Sequence, residues 1–353
     1  MNFQNKPEFF LGATGENGFV NRFSEIYSNT DGFRAYIIKG GPGSGKSTFM
    51  KRIADDFADD SPIICRCSSD PQSLDAVILP FRRVMIADGT APHVLEPEYP
   101  GARERILNFF DIFDCEQLYN SRNDVIEDFK RNADCHKAAG SYISAAGALL
   151  RTRLNTALTF CDKSKAEKYA DTLSRKLLLA TDKPACEVNM YIEAVTPDGY
   201  LCFADTPSKI CDNVIAIDDD YSVCADIILN CIKENAKFAG HTVLTLRNPI
   251  LPDITRGVII PTANVAVVVS DFLSTCDNIT RTVHTKRFYD CDELAKSRER
   301  LNFEKKGVKF MIDAAETCLR DAKITHDRLE RFYISAANFE KLDDIYKKLI
   351  SEF

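Results

Sequence analysis

The sequence predicts an α/β protein made of two tandem units, each a three-layer fold around a parallel sheet and each followed by a helical hairpin or bundle. Three observations carry this reading. A glycine-rich stretch, Gly40-Gly41-Pro42-Gly43-Ser44-Gly45-Lys46-Ser47, stands between the apolar run Ala35–Ile38 and a helical pattern running from Thr48 to Ala54. Short apolar runs alternate with helical stretches around it, as strands covered on both faces require. The second half of the chain then repeats the first in degraded form.

The glycine stretch has the form of a P-loop. Successive main-chain N–H groups of such a loop turn inward and cradle phosphates, and the helix that begins there adds its positive end to the same field. In this pattern Gly40, Gly41, Pro42, Gly43, Ser44, Gly45, Lys46, Ser47 and Thr48 would line the phosphates of ATP. Lys46 would reach the β- and γ-phosphates, and the Ser47 hydroxyl would be a ligand of Mg²⁺. The expected fold is therefore P-loop NTPase-like.

A chain of 353 residues, 45% hydrophobic and 27% charged, is long enough for two domains. Its net charge of −7 argues against broad electrostatic binding of nucleic acid. The 13 cysteines are scattered, odd in number and without a CxxC pair, so they read mostly as small buried apolar residues in a reducing compartment. No signal-like segment or bilayer-length apolar run is present, which leads us to expect a soluble, cytoplasmic protein without a membrane partner. Before the loop, Phe9–Thr14 and Phe19-Val20 flank a turn at Asn17-Gly18 and predict a hairpin.

After the loop helix, Ile63–Cys67 reads as a strand ending in the polar turn Ser68-Ser69-Asp70-Pro71. The runs Ala76–Pro80 and Val84–Ala87 follow, the latter closed by Asp88-Gly89-Thr90. Ligands of α/β sheets bind beyond the carboxyl ends of the strands, where Asp70 and Asp88 both fall. Asp88, after four apolar residues, has the form of a Walker B carboxylate that holds Mg²⁺ with Ser47. The other catalytic candidates are Lys46, Asp70, which could orient or deprotonate an attacking hydroxyl or water, and His93, which could sense the γ-phosphate. From Gly101 to about Ala180, with Ile106, Phe109, Phe110 and Ile112 on one face, the pattern is helical, and the patch Ala138, Ala139, Ala145, Ala146 and Ala148 suggests close helix packing.

The repeat pairs Ala194–Leu201 with Ala13–Val20, Val214–Ile217 with Ala35–Ile38, and Val265–Val268 with Val84–Ala87 at nearly constant spacing. In that register Ala225 replaces Lys46, Asp226 replaces Ser47 and Val269 replaces Asp88. Asp218, Asp219 and Asp220 would repel a triphosphate. Arg256, aligned with Asp75, could act across a pseudo-two-fold interface as an arginine finger. The expected domains are 1–102 (active P-loop unit), 103–185 (helical arm), 186–291 (degenerate P-loop-like unit) and 292–353 (C-terminal arm).

The runs Cys67-Ser68-Ser69-Asp70-Pro71-Gln72-Ser73-Leu74-Asp75, Asp88-Gly89-Thr90-Ala91-Pro92-His93-Val94 and Glu98-Tyr99-Pro100-Gly101-Ala102 resemble an uncharacterised bacterial family of tandem P-loop ATPases. The resemblance covers nearly the whole chain and implies ATP binding, with hydrolysis by Lys46, Ser47 and the Asp88 region; this chain departs from it in lacking the second glycine loop. The sequence has no NKxD guanine-specificity motif and no LSGGQ-type signature, which weakens GTPase and transporter readings. An ATPase acting on an unknown partner is the leading expectation. A small-molecule or nucleotide kinase with Asp70 as base and a non-hydrolysing nucleotide-controlled binding module are the alternatives. A monomer is expected, since two tandem halves can form internally the interface that a dimer forms between chains.

Overall fold

The computed structural model describes residues 6–28, 32–91 and 93–353, so Pro92 of the Asp88–Val94 run lies outside the described residues. The first unit contains β1 (Glu8–Phe10), β2 (Gly12–Gly15), β3 (Gly18–Asn21), α1 (Phe23–Ser28), β4 (Arg34–Lys39), α2 (Lys46–Asp56), β5 (Ile63–Arg66), β6 (Leu74–Leu79), β7 (Val84–Asp88) and β8 (Glu104–Asn108). Its helices are α3 (Cys115–Asn120), α4 (Arg122–Leu158) and α5 (Lys163–Leu177). The second unit repeats this order with β9 (Cys186–Met190), β10 (Glu193–Thr196), β11 (Gly199–Cys202), α6 (Thr206–Ile210), β12 (Asn213–Asp218), α7 (Val223–Phe238), β13 (Thr242–Arg247), β14 (Thr255–Ile260), β15 (Val265–Ser270) and β16 (Arg281–His284). It closes with α8 (Cys291–Ala295), α9 (Arg298–Ser335) and α10 (Glu340–Ile350).

The duplication is evident in the sheets. One has the strand order β1-β5-β6-β7-β4-β8 and the other, read from its opposite edge, β9-β13-β14-β15-β12-β16. Both are mixed rather than parallel, because β6 and β14 run against their neighbours. The cause is local. The Cys67–Ser73 connection is too short to hold a crossover helix, and a 3₁₀ turn at Pro80–Arg82 with Arg83 at φ 53° folds β7 straight back on β6. Pro261–Ala263 with Asn264 at φ 51° does the same in the second unit. The expected hairpin forms as β2–β3, with Gly18 at φ 108° in its turn.

Ile106 and its neighbours are not helical, contrary to the sequence pattern. They form β8, which pairs in parallel with β4 and completes the first sheet, and Phe110–Ile112 is a 3₁₀ turn. An exposed Ile106 beside a buried Leu107 is edge-strand alternation, which a short window confuses with a helical face.

The helices do not stay with the unit they follow. α4 and α9 pack antiparallel, with Ala139, Ile143 and Ala146 against Val308, Ile312, Ala315 and Leu319; Asn132 reaches the Ala322 carbonyl at one end, and Arg153 the Leu301 carbonyl at the other. Beyond them the arms are exchanged. α5, following the first unit, buries Ala166, Ala170 and Leu173 against the outer face of the second sheet and α7. α10, following the second, buries Tyr346 and Leu349 against Phe49, Ile53 and the outer face of the first. The inner faces of both sheets, with α1, share one core containing Phe9, Leu11, Phe23, Met190, Ile192 and Leu246. Phe10 and Tyr191, equivalent positions in the repeat, exchange two main-chain hydrogen bonds of 2.7 and 3.0 Å, which places the pseudo-two-fold between them. Among the described residues no helix is long and apolar enough to cross a membrane, and the cysteines are free, four of them buried and Cys115 and Cys291 exposed.

Tyr346 is 1% exposed, stacks edge-on against Phe49 and carries Arg52 3.8 Å above its ring. Truncating a buried aromatic of this kind costs about 3–5 kcal/mol. Tyr346→Ala is expected to lower the unfolding free energy by that amount in urea titrations, although its parent helix belongs to the other half of the chain.

Candidate functional site

β4 lies in the interior of the first sheet between β7 and β8, and the glycine loop carries the chain from its carboxyl end into α2. Gly43 and Gly45 hold φ values of 63° and 83°, which other residues reach only at a cost of about 1–2 kcal/mol. Space makes the same demand. A Cβ on Gly40 would lie 2.7 Å from Ser44 Oγ, and one on Gly41 2.9 Å from the Tyr333 ring. Drawn this tightly, the loop leaves the main-chain N–H groups of Ser44 to Thr48 without a hydrogen-bond acceptor among the described residues. The Ser44 hydroxyl, 1% exposed, is also unpartnered. Open amides at the start of a helix are a receptor for an anionic group.

Lys46 Nζ folds back over the loop. It donates to the carbonyls of Gly40 at 3.0 Å and Gly41 at 2.8 Å and lies 3.6 Å from Asp88 Oδ2. Asp88 ends β7, and its Oδ1 accepts the Thr90 N–H at 2.9 Å, leaving the second oxygen toward Lys46. Ser47 Oγ accepts the Leu74 N–H at 3.0 Å and so ties the start of α2 to the start of β6. Lys46, Asp88 and the loop thus come together at one sheet edge, with Ser47 on the first turn of α2. Ser47 and Asp88 are the oxygen donors there that could hold a hard cation. Thr48 is exposed on the first turn of α2.

The other two candidates lie elsewhere. Asp70 accepts from Ser73 Oγ at 2.8 Å and sits 3.5 Å from Lys323 of α9, so its contacts are with the arm rather than with Lys46. His93 is buried against Phe19 and Phe23, beside Asp75, and does not open onto the loop.

Sequence reasoning missed what covers the loop. A Cβ on Gly43 would lie 2.8 Å from Ile334 and 2.9 Å from the Glu330 carbonyl, and Gly45 faces Leu342 and Phe339. The end of α9 and the start of α10 therefore rest on the glycine loop. His326, 3.6 Å away, pulls the Glu330 carboxyl below its ordinary value; burial opposes this, and the Lys323 charge and the Gly43 N–H add to the lowering. No local pattern announces this contact, since it joins residues separated by most of the chain.

The second unit has a shorter turn here: four residues separate β12 from α7 where six separate β4 from α2, and Ser222 alone has a positive φ. Ser222, at φ 62°, stands in the place of Gly43. Asp226 Oδ1 accepts the Thr255 N–H at 2.8 Å as Ser47 accepts that of Leu74, which fixes Ala225 as the counterpart of Lys46. Asp219 then falls where the first unit has Gly40. It is 1% exposed, and its carboxyl group accepts the Ala225 N–H at 2.9 Å, the Tyr221 N–H at 3.2 Å and the Tyr289 hydroxyl at 3.0 Å. The second loop carries its own anion. Asp220 is neutralised by Lys305 at 3.0 Å and Arg153 at 3.5 Å.

Arg256 is not an arginine finger. It is 3% exposed and closed within its own unit by Glu193 at 3.0 Å, Asp271 at 2.5 Å and Ser274 at 2.9 Å.

Burial pushes the Asp219 carboxyl above its ordinary value of 3.8, with its hydrogen bonds only partly offsetting this. In the window above that value the folded chain holds a proton that the unfolded chain has lost, so this group's contribution to stability falls as pH rises through the raised value. Asp219→Asn removes the titration. The difference in unfolding free energy between parent and variant, followed upward from pH 3.8, is expected to shift against the parent until the raised value is passed.

No family model matches the chain, and no curated protein or solved structure does so either.

Proposed function

We propose that the chain is a Mg-dependent ATP-binding P-loop NTPase that hydrolyses ATP at a single site in its first unit, the second unit being a nucleotide-incompetent structural or regulatory repeat. The resemblance to the tandem P-loop ATPases points the same way. The observation that carries the reading is the contrast between the two loops: one presents unengaged amides from Ser44 to Thr48, and in the other Asp219 accepts the amide of Ala225, the counterpart of Lys46. Open amides at one loop and a built-in carboxyl group at the other are what one competent and one incompetent repeat require.

In this reading the loop amides receive the β- and γ-phosphates. Lys46 leaves the Gly40 and Gly41 carbonyls to neutralise their charge, and Ser47 and Asp88 would hold Mg²⁺, which supplies further charge neutralisation when bound. Phosphoryl transfer asks for positioning and electrostatic stabilisation rather than covalent participation, and this donor set offers both. Purified protein with Mg-ATP should release ADP, and Lys46→Ala should reduce release by at least about a hundredfold while unfolding normally. Absence of both nucleotide binding and turnover in the parent at millimolar ATP would sink the proposal.

A second reading, the nucleotide-controlled binding module, is favoured by one contact. The α9 residues Glu330, Tyr333 and Ile334 rest on Gly41 and Gly43, so phosphate entry and arm position compete for the same loop. The Glu330 carboxylate is the anion that a phosphate would meet there. Glu330→Gln should tighten nucleotide binding severalfold in a titration calorimetry experiment, because one repelling charge is removed. Unchanged or weaker binding would mean that the arm does not compete with the ligand.

A further inference from the structure

Behind Asp88, three donor groups converge in the interior of the first unit. Cys67 follows β5, Asp75 lies in β6 opposite Asp88, and His93 follows the turn after β7; their donor atoms lie within 4.8 Å of one another. Asp75 and His93 are 3% and 4% exposed. His93 Nε2 stands 3.2 Å from Asp75 Oδ2, yet that oxygen makes no hydrogen bond, and His93 Nδ1 makes none either. Two polar side chains that approach closely without bonding, both sealed from water, are arranged as ligands of a common centre are. The Phe19 and Phe23 rings, 5.0 and 5.2 Å from the imidazole, close the site on the hairpin side.

A plain buried ion pair is the competing explanation, and the repeat shows how this fold builds one. At the position of Asp75 the second unit has Arg256, whose guanidinium is bonded to Glu193, Asp271 and Ser274 through all three of its nitrogens. A buried pair is tolerable only with such completion. The Asp75–His93 pair has less: the Cys67 thiol hydrogen-bonds to the Asp75 carboxyl, while Asp75 Oδ2 and His93 Nδ1 stay unpartnered, and each orphaned buried group costs about 1–3 kcal/mol.

Charge balance gives the missing occupant its sign and magnitude. A divalent cation with one thiolate, one carboxylate and one neutral imidazole sums to zero, the only total that a sealed apolar site accepts cheaply. A sulfur, a nitrogen and an oxygen donor suit zinc and its neighbours and do not suit Mg²⁺ or Ca²⁺, which take oxygen ligands. We propose that Cys67, Asp75 and His93 form a site for a zinc-class divalent metal, with three protein ligands and a fourth position open. Such an ion joins the turn after β5, the start of β6 and the turn after β7, and thereby fixes the segment that carries Asp88. It is separate from the Ser47 and Asp88 oxygens and does not depend on nucleotide binding.

The test uses the full chain, stripped with a chelator and titrated with Co²⁺ and, separately, Zn²⁺. We expect one equivalent of cobalt per chain with a sulfur-to-cobalt absorption band. Cys67→Ser should abolish the band, and His93→Ala should weaken binding by at least about tenfold. X-ray absorption on the zinc-loaded parent should show one sulfur near 2.3 Å and nitrogen or oxygen near 2.0–2.1 Å, as zinc distances require, and this holds whatever the variants do on folding. No stoichiometric binding, binding unchanged in both variants, or a zinc shell with no sulfur or more than one overturns the proposal.

Discussion

The exchange of arms between the two units is the constraint on which the rest of the structure depends. Each outer sheet face is covered on one side by the helix that follows its own loop, α2 or α7, and on the other by a helix from the far half of the chain. The α4–α9 pair forms the crossing, and the Phe10–Tyr191 hydrogen bonds mark the axis about which it is arranged. An isologous contact of this kind normally relates two chains. Here one chain makes it with itself, and covalent linkage supplies the entropy that a dimer would lose on association.

That arrangement brings the C-terminal arm to the glycine loop. α9 leaves the second unit near Arg153 and Asp220, where Lys305 pairs with the latter, and ends on Gly41 and Gly43 of the first. The two loops then differ in the source of the negative charge they meet. In the second it is Asp219, fixed by three hydrogen bonds within its own unit. In the first it is Glu330, carried on α9 from the other unit and reached by the Gly43 N–H.

Much of this was legible in the sequence. The loop from Gly40 to Thr48, β4 before it, α2 after it and the hairpin turn at Gly18 rest on local backbone chemistry, which a window of a few residues contains. The register of the repeat was legible too, because Asp226 and Ser47 perform the same hydrogen bond at the same offset. The direction of β6 was not, since apolar runs such as Val77–Leu79 read alike in parallel and antiparallel pairing, and the deciding feature is the short Cys67–Ser73 connection. β8 is masked by a helical spacing that Ile106, Phe109 and Ile112 satisfy by accident. The contacts of Glu330 and Tyr333 with the loop, and the burial of His93, depend on tertiary packing that no periodicity encodes.

The position of α10 also sets the order in which the protein can be completed. Phe49 and Tyr346, whose ring centres stand 5.4 Å apart, lie near opposite ends of the chain. During synthesis the first sheet can assemble as soon as β8 has emerged, but part of its outer apolar face stays bare until α10 has been made. The first unit therefore waits through translation of the entire second one, and contacts of such long sequence separation close late in folding. Until then the apolar surface around Phe49 and Ile53 has no cover from α10, an exposure that two independently folding domains would not share.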